Sequence, residues 1–555
     1  MKTRRLLLAI LALVPATLLA RQPQPLVEAK VDAIFARMNT TTSPGCALAV
    51  MREGRIVYSR GYGMANLDHD VVISPSTIFH VASVSKEFTA AAIVLLAQDG
   101  KLSLDDNVRK YVPELPDFGV PITIRHLLHH TSGLRDQWDL LGLAGWRYSL
   151  DLITDDDVLQ VMSRQKDLNF RPGERHLYCN TGYTLLATIV ARASGQSLRA
   201  FTDERIFKPL GMTRTHFRQD HAEIIKGQAY GYVPAGNTFR LSVTNFDTAG
   251  ATSLHTTVED MARWDRNFYD AQVGGPTFVD QITTRGVLNN GEQIAYAFGL
   301  QHGTYRGLAV IGHGGSDAGY RADFLRFPSE KLSIVCLCNL STANLSGLTR
   351  QVADVYLADK LGPSDAPPPL PPAIKVNEEQ LSRVAGVYWN REQDTFRKFF
   401  VKDGTLRMGF DTNGAALTAI APGRFAIPPV EFSFDAPATG AARVTETPRA
   451  GGGKPTLFEA VEPFAPSPAD LTQYAGVYRS EEVEPIYRII VENGKLVLRR
   501  LKLNAAPLEP LMRDMFTIPP GRVRFLRDTK GRVSGLMIST SRVLNLRFTK
   551  QAGTT

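Results

Sequence analysis

Ser83 and Lys86 stand three residues apart at the start of a segment that reads as a helix. An i, i+3 pair lies on one helical face, so hydroxyl and amine can meet. The free N–H groups at a helix start favour negative charge near Ser83 and disfavour positive charge on Lys86. Burial lowers a lysine pKa further, and a neutral amine beside a serine can make it a nucleophile. The plain alternative is a capping serine and a solvated first-turn lysine. Two fixed positions in four recur often by chance, so the pair needs its context.

Two further polar clusters supply that context. Tyr178 and Asn180 flank Cys179 in a loop just before a helix, so both can face one cleft. A tyrosinate near the lysine ammonium could take the serine proton, because the opposite charge lowers the phenol pKa. Asn180 can hold the lysine and a substrate amide group. His313-Gly314-Gly315-Ser316 lies at an expected strand end, where glycines let a substrate approach the backbone. A backbone N–H there, with that of Ser83, could form an oxyanion hole, and His313 could bond the substrate or assist proton transfer. Taken singly, the clusters read more readily as a buried tyrosine beside a turn asparagine and a glycine-rich turn with a surface histidine.

Positioning these groups takes a helix, a sheet and the loops between them. Phe88, Ala91, Ala92, Leu95 and Leu96 mark one buried helical face, with Gly100 at its C-terminal end. Residues 45–63 read as a β-hairpin turning at 52–55. Residues 101–265 read mainly as helices and loops, with helices at 181–194 and 258–268. Strands return at 297–303, 308–311, 320–327 and 332–339, and a helix from about 345 to 361 closes the unit. Strands at both ends around a helical insert predict an α/β (α+β) domain: an antiparallel sheet, helices packed on it, and a helical subdomain.

A proline-rich linker follows at 362–372. Beyond it the chain repeats itself at an offset of about ninety residues. Ala385-Gly386-Val387-Tyr388 matches Ala475-Gly476-Val477-Tyr478, and Asp403-Gly404 matches Asn493-Gly494. Phe425 to Pro429 matches Phe516 to Pro520. Short, regularly spaced strands predict a small antiparallel β-barrel for each copy. The expected layout is a catalytic domain over 25–362, a linker over 363–375, and two lipocalin-like barrels over 376–463 and 468–555.

A chain of 555 residues exceeds one core, and its net charge of +8 is modest for that length. No Lys/Arg cluster interleaved with aromatics points to nucleic acid. Residues 1–20 read as a secretory signal, with Lys2, Arg4 and Arg5 before an apolar run from Leu6 to Val14 and small residues at Ala16 and Ala20. Export to the periplasm or medium is therefore expected, with no membrane span after signal removal. Cys46, Cys179, Cys336 and Cys338 show no metal-ligand spacing and read mostly as buried small residues. An oxidising compartment allows a disulfide, with the pairing open. His126, His129 and His130 share a helical face, a metal pattern without the usual supporting carboxylate. Ser132 lies in His-Thr-Ser-Gly and reads as a helix-end serine.

Ser83-x-x-Lys86, Tyr178-x-Asn180 and His313-Gly-Gly, in this order and spacing, resemble the motifs of the serine β-lactamase-like family. The family includes class C β-lactamases, D,D-carboxypeptidases, D-aminopeptidases and esterases. The likeness extends to Gly61-Tyr62-Gly63-Met64-Ala65, to Leu127 through Leu134 and to Pro209-Leu210-Gly211-Met212, covering roughly residues 25–362. It implies a β-lactamase/transpeptidase-like fold and an acyl-enzyme on Ser83, with Lys86 and Tyr178 sharing the proton work. It implies Asn180, His313 and Gly315 in support, an oxyanion hole from the N–H groups of Ser83 and Ser316, and no metal or cofactor.

Two departures bear on substrate. Cys179 stands where many members have serine. His313 replaces the lysine that pairs with a substrate carboxylate, and a neutral imidazole is a poorer partner for one. The departure favours amides and esters with no carboxylate at that point. Two C-terminal barrels resemble the bacterial D-aminopeptidases, which also carry His-x-Gly and whose barrels shape access to the cleft. The expected function is a D-aminopeptidase-like hydrolase acting on small amides or peptides, peptidoglycan fragments among the candidates. A short-chain carboxylesterase is the runner-up. A β-lactamase, a D,D-carboxypeptidase, a penicillin-binding sensor without turnover and a non-catalytic peptidoglycan-binding module also stay open.

Overall fold

The computed structural model describes residues 24–552 apart from 149, 365–366, 411–412, 436–440, 450–452, 501 and 520. The expected signal segment lies outside the described residues. Among them, no helix is long and apolar enough to cross a membrane.

The catalytic domain is built on a six-stranded antiparallel sheet. Its strands are β1 (Cys46–Arg52), β2 (Arg55–Tyr62), β3 (Gln301–Tyr305), β4 (Leu308–Asp317), β5 (Tyr320–Phe327) and β6 (Leu332–Cys338). Their order is β3-β4-β5-β6-β1-β2. The first and last sheet strands of this domain thus meet at the β6–β1 pairing, where Cys46 lies directly opposite Cys338 and is disulfide-bonded to it. β1 and β6 are buried along almost their whole length, as strands covered on both faces must be.

Side-chain alternation divides the sheet into two faces. Leu48, Val50 and Ile334 pack against the terminal helices α1 (Gln24–Phe35) and Leu345–Tyr356. Ala47, Ala49, Val335 and Leu337 face the larger core, which contains α2 (Ser85–Gln98). Twelve residues of α2 from Ser85 to Leu96 are buried without a break, more than the one-sided face its periodicity suggested, because sheet and helical subdomain cover it from both sides. Gly100 sits just past it with φ +69°, the left-handed closure a C-terminal glycine allows.

β4 is longer than its sequence suggests: it runs through His313 and the glycines to Asp317 instead of ending at Ile311. These glycines answer to packing inside a strand. A Cβ on Gly312 would lie 2.0 Å from the Phe324 carbonyl oxygen, and one on Gly315 would lie 2.3 Å from that of Val81. The close approach at Gly315 sets β4 against the turn that carries Ser83.

The first C-terminal copy is a nearly closed nine-stranded sheet between Gly386 and Ala460, and the second is a closed eight-stranded barrel between Gly476 and Lys550. Their kinship is visible bond by bond. Each opens with a seven-residue helix under a capping box, Asn377 with Gln380 and Ser467 with Asp470. In each, the tyrosine of Ala-Gly-Val-Tyr donates its hydroxyl to a carbonyl four residues back, Tyr388 to Val384 and Tyr478 to Tyr474. Asp403-Gly404 and Asn493-Gly494 have positive φ at both residues, the backbone of a tight hairpin turn. The apolar core of the second copy is continuous with that of the catalytic domain, whereas the first copy has a core of its own.

Candidate active site

Ser83 lies in a single 3-10 turn, Ala82–Val84, feeding α2. Ala82 has φ +48°, a conformation that costs an L-residue roughly 1–2 kcal/mol. Ser85 holds this turn: its hydroxyl donates to the Ala82 carbonyl (2.5 Å) and accepts from the Leu254 N–H (3.0 Å).

Lys86 is wholly buried. Its Nζ lies 2.9 Å from Asn180 Oδ1, 2.7 Å from the Ala251 carbonyl oxygen and 3.1 Å from Ser83 Oγ. Three acceptors thus surround Nζ; when the amine is neutral, the two carbonyl oxygens can take its two N–H bonds and its lone pair is then left for the serine proton. Burial pushes the Lys86 pKa down to about 7, and the nearby positive charge of Arg542 adds to the shift against the opposing pull of Asp136.

Asp136 fixes the orientation of Asn180. Its Oδ2 accepts from the Asn180 backbone N–H (2.6 Å) and side-chain amide (2.9 Å), which turns Asn180 Oδ1 toward Lys86. Asp136 is itself buried, as the N-cap of helix Gln137–Leu143.

Tyr178 faces the same point. Its ring centre is 4.9 Å from Lys86 Nζ and 4.2 Å from the ring of His130 behind it. A phenolate base was the sequence expectation; burial works the other way and pushes the Tyr178 pKa well up, with Ser83 offsetting only part. The hydroxyl is buried without a hydrogen-bond partner of normal geometry. A protonated phenol beside a low-pKa amine can donate a proton where the lysine accepts one.

His313 faces the cavity, but both ring nitrogens are engaged by protein groups. Nδ1–H donates to the Gly314 carbonyl (2.6 Å), and Nε2 accepts from the Tyr296 hydroxyl (3.0 Å). Burial, then Lys86, pushes its pKa down to about 4, so the ring is neutral. Direct substrate bonding or proton transfer by His313 would require one of these bonds to break.

Ser83, Tyr178, Asn180, His313, Gly315 and Ser316 line one cavity of about 670 Å³. Ser132 does not, and its hydroxyl accepts from the Leu134 N–H. His126 and His130 accept from separate backbone N–H groups, those of Thr123 and Cys179, and do not converge.

The beta-lactamase family model matches residues 31–357, more than half of the chain. The chain belongs to the beta-lactamase family. Within this family it is a serine hydrolase, and its relatives match beyond the catalytic domain. It is 28% identical over 461 residues to a D-aminopeptidase of Gluconobacter oxydans, covering 82% of this chain and 83% of that one. It is 26% identical over 537 residues to a D-aminopeptidase of Brucella melitensis, covering 93% and 96%. Among solved structures, an octameric penicillin-binding protein homologue from Pyrococcus abyssi shares the fold, with a TM-score of 0.54 at 22% identity over 86% of this chain and 98% of that one.

Other groups of this beta-lactamase-family site carry little signal in sequence. Asp136 could be found only as a helix cap, and the Ala251 carbonyl has no side-chain signature at all. Asp317, next to Ser316, accepts from Tyr148 (2.5 Å), Thr252 (2.9 Å) and His80 (3.0 Å), four residues scattered along the chain. Arg542, from the last hairpin of the second barrel, also lines the cavity.

Proposed function

We propose that the protein is an exported serine hydrolase that forms an acyl-enzyme on Ser83 and cleaves small amides or peptides with an N-terminal D-amino acid. The observation that carries the chemistry is the buried Lys86 amine, held by two carbonyl oxygens beside Ser83 Oγ. Lys86 takes the hydroxyl proton as Oγ attacks the substrate carbonyl carbon. The resulting oxyanion rests on the N–H groups of Ser83 and Ser316. Tyr178 gives its proton to the leaving nitrogen, the C–N bond breaks, and Lys86 returns its proton to the phenolate. Water, deprotonated by the same lysine, then releases the acyl group and restores Ser83.

D-aminopeptidases that match 82% and 93% of this chain, well beyond the length of the catalytic domain, support the substrate class. The neutral His313 supports it too, since it offers no cation to a carboxylate at that strand. The same neutrality suits a short-chain ester, which is the second reading. D-amino-acid peptides from peptidoglycan are the candidate natural substrates.

The test compares kcat/KM for D-alanine p-nitroanilide, its L-isomer and p-nitrophenyl butyrate, with Ser83→Ala as control. A D-over-L preference that disappears in the control supports the reading; fast ester cleavage with no anilide turnover replaces it with the esterase. A fluorophosphonate should label Ser83, and absence of any adduct would remove the nucleophile. An acyl adduct that persists instead of turning over would mark a penicillin-binding sensor.

A further inference from the structure

Four charged side chains line the cavity beside the nucleophile: Asp317, Arg321, Asp323 and Arg542. Three are already engaged. Asp317 accepts from Tyr148, Thr252 and His80, and Asp323 accepts from the Thr349 hydroxyl. Arg321 donates to the carbonyls of Ala318 (3.1 Å) and Tyr320 (2.6 Å).

Arg542 differs. Among the described residues its guanidinium makes no hydrogen bond. The nearest carboxylate oxygen is Asp136 Oδ2 at 3.9 Å, and that oxygen already accepts twice from Asn180. The Arg542 side chain is 37% exposed, so a ligand can reach it. Its five N–H donors form a fork that matches a carboxylate.

The backbone that presents this fork is fixed to the catalytic domain. The Arg542 N–H donates to Asp139 Oδ2 (3.2 Å), and its carbonyl accepts from the Asp136 N–H (3.2 Å) and the Asn169 side-chain amide (2.9 Å). On either side of it, Thr540 donates to Asp139 and the Leu544 N–H to Asn169. A group held this way loses little freedom on binding. The guanidinium carbon is 5.1 Å from the centre of the Tyr178 ring. Tyr178 is the group assigned to protonate the leaving nitrogen, so whatever Arg542 holds lies on that side of the scissile bond.

Resting on the reading of this cleft as an amide-hydrolysing site, we propose that Arg542 binds a carboxylate on the leaving group, which makes the substrate a short peptide with a free C-terminal carboxylate. The barrel then supplies, from its last hairpin, the cation that β4 lacks at His313. The D-residue occupies the acyl side, and the residue released carries the carboxylate.

Calorimetry on the full chain carrying Ser83→Ala, which prevents turnover, tests this with D-alanyl-glycine and D-alanyl-glycinamide. The carboxylate peptide should bind about tenfold more tightly, as expected for one charge-assisted fork at a part-exposed site. Adding Arg542→Gln should bring the two affinities together, while Arg542→Lys, which keeps the charge without the fork, should retain part of the margin. Equal affinities in the Ser83→Ala chain, or a margin that survives Arg542→Gln, overturns the proposal. A margin in binding with no amide turnover by the wild-type chain overturns the peptidase reading and keeps the carboxylate site.

Discussion

In the first copy of the C-terminal repeat, the loop after the opening strand brings Asp394 to Arg522 and Arg524 of the second copy. In the second copy, the matching loop brings Glu482 to Arg135 of the catalytic domain (2.5 Å), with both side chains almost fully buried. The same loop thus serves two successive docking contacts. The last hairpins differ more. That of the second copy carries Arg542 into the cleft, whereas its counterpart in the first reads Arg449-Ala450-Gly451-Gly452-Gly453-Lys454, and Arg449 donates to Pro369 of the linker. Core positions keep the two copies alike, and loops decide what each touches.

Six changes probe this asymmetry. The largest effect belongs to Glu482→Ala. It leaves a buried guanidinium without its carboxylate, and denaturant titration should show a loss of about 3–5 kcal/mol. Replacing residues 540–544 with a short Gly-Ser turn should lower kcat/KM about 100-fold, because Arg542 leaves and Asp136 and Asn169 lose partners. The equivalent replacement of 449–454 in the first copy should leave kcat/KM unchanged. If both replacements act alike, the asymmetry fails.

A smaller effect is expected on pH dependence. The free Lys86 amine is the active form, so kcat/KM for p-nitrophenyl butyrate should rise as pH increases through about 7. Arg542 helps hold that value down, so Arg542→Ala should move the acid limb to higher pH, and Arg449→Ala should not move it. The smallest effect is Asp394→Ala. Its pairs are part-exposed, and its loss should cost below about 1 kcal/mol in the same titration that Glu482→Ala fails by several. A larger loss would mean that the first copy is docked as firmly as the second.

Much of this arrangement is legible in sequence where the information is local. The apolar face of α2, its closing Gly100, the hairpin turns and the repeat all rest on neighbouring residues. The groups Ser83, Lys86, Tyr178, Asn180 and Ser316 could be named because each sits in a short pattern with its own chemistry. Where a group works through distance, sequence falls silent. The Ala251 carbonyl that holds Lys86 could belong to any residue. Arg542 follows Tyr178 by hundreds of residues and lies in an unremarkable Ser-Arg-Val stretch. The Tyr178 phenol changes direction in pKa because its burial outweighs the Ser83 hydroxyl and the Arg542 charge, and no motif measures burial. The length of β4 was hidden for the same reason: its glycines fit crossing backbones that only the folded chain brings near.

The disulfide between Cys46 and Cys338 closes the polypeptide into a covalent ring that encloses Ser83, Lys86, Tyr178, Asn180 and His313. A protease that cuts an exposed loop inside that ring produces no separate fragments. The nicked chain stays one molecule until a reductant opens it, and on a gel without reductant it should migrate as a single species. Both barrels hang outside the ring on one tether, so a cut in the linker releases them covalently, and the second barrel is then kept in place by the shared apolar core, the buried Arg135–Glu482 pair and the bonds of residues 540–544 to Asp139 and Asn169.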